Sequence, residues 1–445
     1  MEFVLDLHLH SRFSRAVSQK MNLHEMSSWA KLKGLQILSA ADFTHPVWLR
    51  EIKSQLKETN EGLYSLKEGK NETRFLLSTE IASIYKQGEK LRRIHNLIFA
   101  PNFETVDKIN KELLARGCNL GSDGRPIVGL SSKQLLELVL TVDKQCMVIP
   151  CHVWTPHFGV YGSASGFESL EEAFGDLANH IYGIETGISS DPLMNWQVKE
   201  LESRSILSFS DAHSAPKMGR EATVITAKKD IETLAYSDIG KAIVRPLKLK
   251  KGLPVDDTKI AYSIEFYPEE GKYHFAGHRN CKVVKSPEEI KKEGNICPQC
   301  SRRLTEGVMY RVEQLAGKKA NFEIQKSQKD KQGVFWIEDP DNIHPPFLKL
   351  VPLQEIIAES IGYSVISDKT RAMYISVCQE FGSELSVLLK IPIADIEKKF
   401  PGKLAEGIRK VRESTITIKP GYDGEYGVVS IWSEEEEEKS QQPLL

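Results

Sequence analysis

The stretch "LDLHLHSRFSRA", residues 5–16, places two histidines one residue apart at the end of an apolar run. Because successive side chains of a strand point to opposite faces, His8 and His10 would share one face of a strand that ends here. Two charged imidazoles at that spacing repel each other, whereas two neutral imidazoles can bind one metal ion together. The alternative is a pair of surface histidines at a strand edge. The stretch therefore favours a metal site, subject to what the rest of the chain contains.

Buried strands alternate with amphipathic helices over the first half of the chain. Helical apolar spacing occurs at 104–117, 131–142 and 193–204. Apolar runs typical of buried strands lie around these stretches, at 35–46, 74–81, 93–100, 146–154, 181–187 and 206–213. This alternation predicts an α/β fold with a parallel sheet or barrel, in which chemistry collects at the carboxyl ends of the strands.

Histidines and carboxylates recur where these apolar runs end. They are His8, His10, Asp42, Glu80, His152, Asp211 and His213, and His95 lies near the start of its run. Any one of them could be a helix cap or a paired core residue. Together they form a costly set of buried polar groups unless they are paired or bound to metal. A shared metal cluster explains the whole set.

A second constellation follows in "GHRNC" (277–281) and "CPQC" (297–300). Two knuckles with this spacing are typical of a zinc ribbon in which one cysteine is replaced by histidine. We therefore predict one structural zinc held by His278, Cys281, Cys297 and Cys300, with His274 as the alternative first ligand. Free buried thiols, the other interpretation, do not explain why both pairs have the same two-residue gap.

Composition restricts the class of protein. The chain has 445 residues, of which 40% are hydrophobic and 27% charged, so we expect two or three globular domains without a membrane span. Seven cysteines, an odd number, argue against a disulfide scaffold and for a cytoplasmic protein. Residues 241–331 carry an excess of eight Lys and Arg over Asp and Glu. That excess fits contact with a polyanion, or a solvated lysine-rich surface.

The second half changes character after residue 250. We expect a first domain at 1–250, a β-hairpin and zinc module at 251–325, a mostly helical domain at 326–432 and an acidic disordered tail at 433–445. The first hairpin would cover 260–275, and a final one 415–432. The last residues, "QQPLL" (441–445), match the first half of a sliding-clamp binding motif, and a chance match is the alternative.

The ordered ligands of the first half resemble the PHP (polymerase and histidinol phosphatase) family, which folds as a distorted (β/α)7 barrel and hydrolyses phosphoesters with metal ions. A finer resemblance, to the endonuclease Q family, extends over nearly the whole chain. It rests on "HSRFSRAVSQKMNL" (10–23), "DFTHPVW" (42–48), "IETGISSDPLMNW" (184–196), "SDAHSAPKMGREAT" (210–223), "GKYHFAGHRNCKV" (271–283), "CPQCSRRLTEGVMYRVEQLA" (297–316) and "PGYDGEYG" (420–427). It implies a metal-dependent nuclease that cuts DNA 5′ of deaminated bases (uracil, hypoxanthine, xanthine) and of abasic sites, acting at the nucleoid on damaged double- or single-stranded DNA.

The resemblance also implies a role for each site residue. A first metal would be held by His8, His10, Glu80 and Asp211, a second by Glu80, His95 and His152, and a third by Asp42 and His213. The sequence departs from the PHP pattern at Asp42-Phe43-Thr44-His45 and at Arg15, so two or three divalent metals (Zn, Mn or Mg) are expected.

Further roles concern residues outside these ligand sets. Glu80 and Asp211 would take part in catalysis, and Glu185 either joins them at the site edge or in base recognition, or is structural. Phosphate contacts are expected from Arg15, Lys217 and Arg220, which could also be ordinary surface cations.

Two other functions compete with the nuclease. A small-molecule phosphoesterase would use the same metals but has no use for the zinc module and the C-terminal domain. A non-catalytic DNA-binding module with a decayed site would not need so complete a set of ligands.

Overall fold

Strands and helices alternate through residues 1–244. The structure is a computed structural model that describes residues 1–68, 73–244, 258–316, 326–433 and 435–436. The strands of this first part are β1 (Glu2–Asp6), β2 (Ile37–Ser39), β3 (Leu56–Asn60), β4 (Leu63–Leu66), β5 (Arg74–Gln87), β6 (Lys90–Ala100), β7 (Ile127–Val128), β8 (Met147–Pro150), β9 (Gly183–Glu185), β10 (Ser205–Leu207) and β11 (Ala222–Thr226). The helices are α1 (Leu23–Lys33), α2 (Pro46–Gln55), α3 (Phe103–Ala115), α4 (Ser132–Val142), α5 (Leu170–Phe174), α6 (Pro192–Trp196) and α7 (Tyr236–Ile243).

The α/β class is confirmed, but the sheet is mixed and not parallel throughout. Strands β1, β2 and β5 run parallel, as do β9 and β10, whereas β11 lies antiparallel to β1 and the series β5–β6–β8 is antiparallel. A two-residue turn joins β5 to β6, and Gly88 in it has a φ of 61°. Such a turn requires an antiparallel hairpin. Glu80 and His95 therefore lie inside a long hairpin and not at strand ends.

Helix boundaries follow local chemistry. Asn22 and Asn102 cap α1 and α3 by accepting a backbone N–H, and Ser131 starts α4 with a full capping box. The two predicted helices at 104–117 and 131–142 are thus present. The predicted helix at 193–204 is only the short α6 followed by a 3₁₀ turn at Lys199–Ser203.

The middle part of the chain extends the same sheet. Its strands are β12 (Lys259–Glu265), β13 (Ala276–His278), β14 (Val283–Lys285), β15 (Lys326–Lys329), β16 (Phe335–Glu338) and β17 (Phe347–Lys349), and its helices are α8 (Pro287–Glu293) and α9 (Val308–Ala316). The predicted hairpin at 260–275 is wrong, because β12 pairs antiparallel with β11 and parallel with the distant β17. Strands β13 and β14 form a separate small sheet that carries the zinc module.

The C-terminal part is helical from residue 353. It comprises α10 (Leu353–Ile361), α11 (Asp368–Phe381), α12 (Glu384–Leu389), α13 (Ile393–Lys399), α14 (Lys403–Arg412), β18 (Thr417–Lys419) and β19 (Val428–Ser430). The pairing of β18 with β19 confirms the final hairpin. A buried ion pair of 2.7 Å between Lys33 and Glu384 fastens these helices to α1. Most of the expected tail, including 441–445, lies outside the described residues, and none of the described helices is long and apolar enough to cross a membrane.

Candidate metal centre

The predicted ligands converge although they come from distant parts of the chain. His8 and His10 follow β1, Glu80 and His95 come from the β5–β6 hairpin, and the last two are His152 after β8 and Asp211 after β10. His152 and Asp211 have φ values of 30° and 47°, a conformation that costs about 1–3 kcal/mol and is typical of functional sites. The backbone at both strand ends is therefore held in a strained form that aims these side chains inward.

Asp6 fixes the loop that carries Asp211. Its buried carboxylate, on the last residue of β1, accepts hydrogen bonds from Ser210 N, Ser210 Oγ and Gly219 N at 3.0, 2.6 and 2.8 Å. Burial raises the pKa of Asp6 to about 6, against these hydrogen bonds. The ends of β1 and β10 are thus tied together directly beneath the ligands.

Four ligand atoms form a first cage. His10 Nε2 lies 3.0 Å from Asp211 Oδ1 and 3.3 Å from Glu80 Oε2, and His8 Nε2 lies 3.7 Å from each of these two oxygens. Ligands about 2.0–2.2 Å from a central ion are separated by such distances. The cage therefore matches the size of a divalent metal.

A second cage shares Glu80 with the first. The other oxygen of this carboxylate, Oε1, lies 2.5 Å from His95 Nδ1 and 3.2 Å from His152 Nε2, and the two imidazole nitrogens are 3.2 Å apart. One carboxylate thus faces both cages, which is the arrangement that holds two metals about 3.5–4 Å apart.

The imidazoles are oriented by buried carboxylates on their far sides. Glu185 accepts from His8 Nδ1 at 2.8 Å, and Asp42 lies 3.3 Å from His10 Nδ1. This leaves His8 Nε2 fully buried without any hydrogen-bond partner among the described residues. A buried nitrogen lone pair aimed into a cage of carboxylates is what a metal ligand requires, so the residues fit a bound divalent metal.

Glu185 is not a catalytic group at the site edge. It is completely buried behind His8, and its Oε2 also accepts the backbone N–H of His152 at 2.8 Å. This placement favours the structural alternative, in which Glu185 positions His8 and His152.

Asp42 and His213 do not form a third cage. Asp42 Oδ2 accepts three hydrogen bonds of 2.7–2.8 Å, from Ser11 N, Ser11 Oγ and Ser14 Oγ, and the side chain is fully buried. His213 Nδ1 faces the carbonyl oxygen of Asp211 at 2.8 Å. No candidate metal group among the described residues contains either of them.

Electrostatics keep the carboxylates ionised. Burial alone would raise the pKa of Asp211 and Glu80. The charges of His8 and His10 hold the pKa of Asp211 below its usual range, and His95 and Arg125 do the same for Glu80. Ionised carboxylate oxygens are the protonation state that metal binding needs.

Two of the three predicted phosphate contacts are engaged elsewhere. Lys217 Nζ forms a 2.6 Å ion pair with Glu355 of α10. The guanidinium of Arg220 donates twice to the carbonyl oxygen of Ser210, at 3.0 and 2.8 Å. Lys217 and Arg220 thus have partners within the chain, and phosphate contact by either of them, or by Arg15, stays a prediction.

A cavity of about 460 Å³ opens over the two cages. Its polar and charged lining includes Arg15, Arg125, Asp211 and His213. Its apolar lining comes from Ala82, Ile84, Ile127, Phe158 and Ile188. The sequence analysis missed Arg125, which donates to Glu80 Oε2 at 3.2 Å. Its loop carries no recognised motif, and the only signal was the turn-forming "SDGRP" at 122–126.

The second constellation also comes together. His278, Cys281, Cys297 and Cys300 offer ligand atoms within 4.8 Å of one another, and His278 Nδ1 lies 3.2 Å from Cys300 Sγ. His274, the alternative ligand, is buried outside this group. Three sulfurs and one imidazole at this spacing fit a structural zinc.

Comparisons with known proteins agree with this organisation. The family described as "MJ0043 C-terminal domain" matches residues 352–415. An uncharacterised protein of Methanocaldococcus jannaschii, MJ0043, is 29% identical over 279 residues, which are 62% of this chain and 31% of that protein. An uncharacterised Bacillus subtilis protein, YqxK, is 26% identical over 407 residues, 89% of each chain. This chain therefore spans 31% of the length of the first relative and 89% of the second.

Two solved structures match over the whole length. The lesion-specific endonuclease PfuEndoQ from Pyrococcus furiosus has a TM-score of 0.78 and 27% identity, covering 99% of this chain and 100% of that one. An endonuclease Q complex with a 27-mer duplex carrying an abasic lesion at the active site has a TM-score of 0.77 and 29% identity, covering 98% of both.

The α/β fold with its helical C-terminal part is shared with both endonuclease structures over at least 98% of this chain, and it carries histidine and carboxylate clusters that could hold metal ions. Along nearly its whole length the chain is thus similar to endonuclease Q, and the two matches support a DNA endonuclease that acts on phosphodiester bonds.

Proposed function

We propose that this chain is a DNA repair endonuclease that hydrolyses the phosphodiester bond 5′ of deaminated bases (uracil, hypoxanthine, xanthine) and of abasic sites. The observation that carries the proposal is its full-length likeness to an endonuclease Q that holds a duplex with an abasic lesion at the active site. The bridged pair of cages supports hydrolysis by water as the reaction. We assign Zn, Mn or Mg to the two cages, without a third metal.

The residues of the site would each have a separate role in hydrolysis. The two cages would hold divalent metals, which when bound would lower the pKa of a water molecule and stabilise charge on the phosphate oxygens. Glu80 sets the spacing of the cages, and Glu185 and Asp42 lock the imidazoles of His8 and His10. Asp211 is the one ligand carboxylate that is partly exposed, at 27%. Its Oδ1 faces His8 and His10, so we assign its Oδ2 to orienting the attacking water.

The cavity over the two cages has a size suited to a nucleotide that is extruded from the duplex. Enzymes that act on a damaged base often extrude it into a pocket, and pockets for small molecules measure about 300–1,000 Å³. Ser189 lines this cavity, so its backbone belongs to the region where the lesion would be read. Asp191, two residues further along the chain, instead caps α6 and pairs with Lys349 at 2.7 Å.

The zinc module would hold the flanking duplex. Lys285 is buried and donates to the carbonyl oxygen of Gly294, and Lys291 pairs with Glu313. Lys282, Lys292 and Arg302 are exposed and form no ion pair with the residues that the structure describes. These three cations are therefore the ones that we assign to phosphate contact at the nucleoid. The sliding clamp is not part of the proposal.

The test is a cleavage assay on end-labelled duplexes that are undamaged or carry one uracil, hypoxanthine, xanthine or abasic site. We expect one metal-dependent cut immediately 5′ of each lesion, no cut in the undamaged duplex, and none with a chelator. Cleavage of free nucleotide monophosphates without cleavage of any duplex would overturn the proposal in favour of a small-molecule phosphoesterase.

A further inference from the structure

Arg125 is the one arginine that reaches a ligand of the metal cluster among the described residues. Its Nη1 lies 3.2 Å from Glu80 Oε2, the oxygen that faces the first cage. The side chain is 24% exposed and lines the cavity together with Asp211. Its guanidinium thus stands between the buried cluster and the space in which a substrate would lie.

The loop that carries Arg125 is fastened on both sides. Asp123 Oδ1 accepts the backbone N–H of Arg125 at 3.0 Å and that of Arg15 at 3.2 Å, so one carboxylate sets both arginines side by side. Gly124 N donates to Phe13 O, and Ala82 N donates to Pro126 O, each at 3.0 Å.

Close packing at Gly124 completes the attachment. A Cβ at this position would lie 2.3 Å from Ser14 Oγ and 2.4 Å from Asp42 Oδ2, so only glycine fits. The arginine is therefore presented by a fixed backbone, and the geometry is set before any substrate arrives.

The charge of Arg125 is available to a substrate. An arginine guanidinium is always protonated in proteins, so Arg125 presents a positive charge to the cavity that it lines. Apart from the bond to Glu80, its guanidinium nitrogens have no hydrogen-bond partner within the described part of the chain. Once the two carboxylates face metal ions, an anion in the cavity is the natural partner for these donors.

We propose that Arg125 is a catalytic residue that donates to a non-bridging oxygen of the scissile phosphodiester. In the step, the oxygen of a water molecule forms a bond to phosphorus and releases one proton to solvent, one phosphorus–oxygen ester bond breaks, and the departing oxygen takes up one proton from solvent. The guanidinium stabilises the charge that gathers on the equatorial oxygens during this exchange. This inference rests on the proposed function only in taking a phosphodiester as the substrate.

The experiment compares Arg125→Ala and Arg125→Lys with Arg116→Ala, which removes an exposed arginine that pairs with Glu112 on α3. Each variant is assayed on an abasic-site duplex and on bis(p-nitrophenyl) phosphate, and its bound metal is counted by mass spectrometry. For Arg125→Ala we expect kcat to fall about 10²–10³-fold on both substrates, with unchanged duplex binding and unchanged metal content. Added guanidinium ion should restore part of the lost rate, and Arg116→Ala should behave as wild type.

Two results would overturn the inference. Loss of metal from Arg125→Ala would show that the arginine only holds Glu80 in place, and a wild-type kcat would show that it does not contact the phosphate. If the wild type hydrolyses bis(p-nitrophenyl) phosphate but cuts no damaged duplex, the proposed function fails, while the role of Arg125 is still decided by the small substrate.

Discussion

The substitution Glu185→Gln tests whether Glu185 positions metal ligands or takes part in the chemical step. Glu185 is fully buried, accepts from His8 Nδ1 at 2.8 Å and 3.1 Å through its two oxygens, and accepts the N–H of His152 at 2.8 Å. A glutamine keeps the shape but has one acceptor oxygen, so its amide NH₂ must face one of these two donors. One buried hydrogen bond to a charged group is then lost, which is worth about 1.5–3 kcal/mol.

This loss should appear as weaker metal binding. Substituting the partner behind a ligating histidine typically costs about 10–100-fold in metal affinity or activity, in agreement with that free energy. We expect the Mn²⁺ concentration that gives half-maximal cleavage to rise by this factor, whereas the rate at saturating Mn²⁺ should stay close to that of wild type.

The assay is a Mn²⁺ titration of duplex cleavage at fixed pH. The matched control is Glu200→Gln, which alters another glutamate that accepts hydrogen bonds, from Tyr161 Oη and Leu170 N, away from the ligands. A loss of rate that saturating Mn²⁺ does not restore would refute the reasoning, because Glu185 would then act in the chemical step itself.

Three further outcomes follow from other parts of the structure. Cys300→Ser should lower the zinc content by one ion per chain and destabilise the module around 276–285, whereas Cys118→Ser, outside both clusters, should change neither; equal zinc in both variants would exclude the assigned ligands. Burial raises the pKa of Glu265 to about 7 against hydrogen bonds from Ser208 and Ser263, so the folded state holds an extra proton and the free energy of unfolding should fall as pH rises from about 4.5 to 7. In urea titrations Glu265→Gln should reduce that fall by about 1–3 kcal/mol, and an unchanged pH profile would count against the assignment. The double substitution Lys282→Ala, Arg302→Ala should lower the slope of log K for duplex binding against log salt by about 0.9 for each lost phosphate contact, with Lys111→Ala on α3 as the control; an unchanged slope would remove the zinc module from the DNA interface.

The positions of the metal ligands were predictable because they follow from strand periodicity and from the cost of burying polar groups. Four of the ligands come two to four residues after the end of a strand, as expected: His8, His10, His152 and Asp211. The prediction of Glu80 as a ligand rested on a partly wrong reason. Glu80 lies within β5 and not at a strand end, and the β5–β6 hairpin brings it to the site.

The roles of carboxylates were not predictable from the sequence alone. Whether Asp42 binds metal or orients His10 depends on where its oxygens find donors, and these come from Ser11 and Ser14 in a different loop. The ion-pair partner of Lys217 was unpredictable for the same reason, because Glu355 lies 138 residues further along the chain. Local pattern identifies which groups are polar, whereas tertiary contacts decide which of them remain free.

Strand pairing between distant segments accounts for the errors in the predicted fold. The segment at 260–275 has the composition of a hairpin, but its first strand finds β11 on one side and β17 on the other. Long-range pairing of this kind leaves no trace in a local window of sequence.

The most direct test of the central claim, that the bridged cluster is a nuclease centre, is to measure binding and cleavage by Asp211→Asn on one abasic-site duplex. Asp211 Oδ1 lies 3.0 Å from His10 Nε2, and Asp211 is the ligand carboxylate that lines the cavity. We predict that the variant binds the duplex as wild type does and does not cleave it. Cleavage at the wild-type rate would contradict the account, because the catalytic centre would then lie elsewhere.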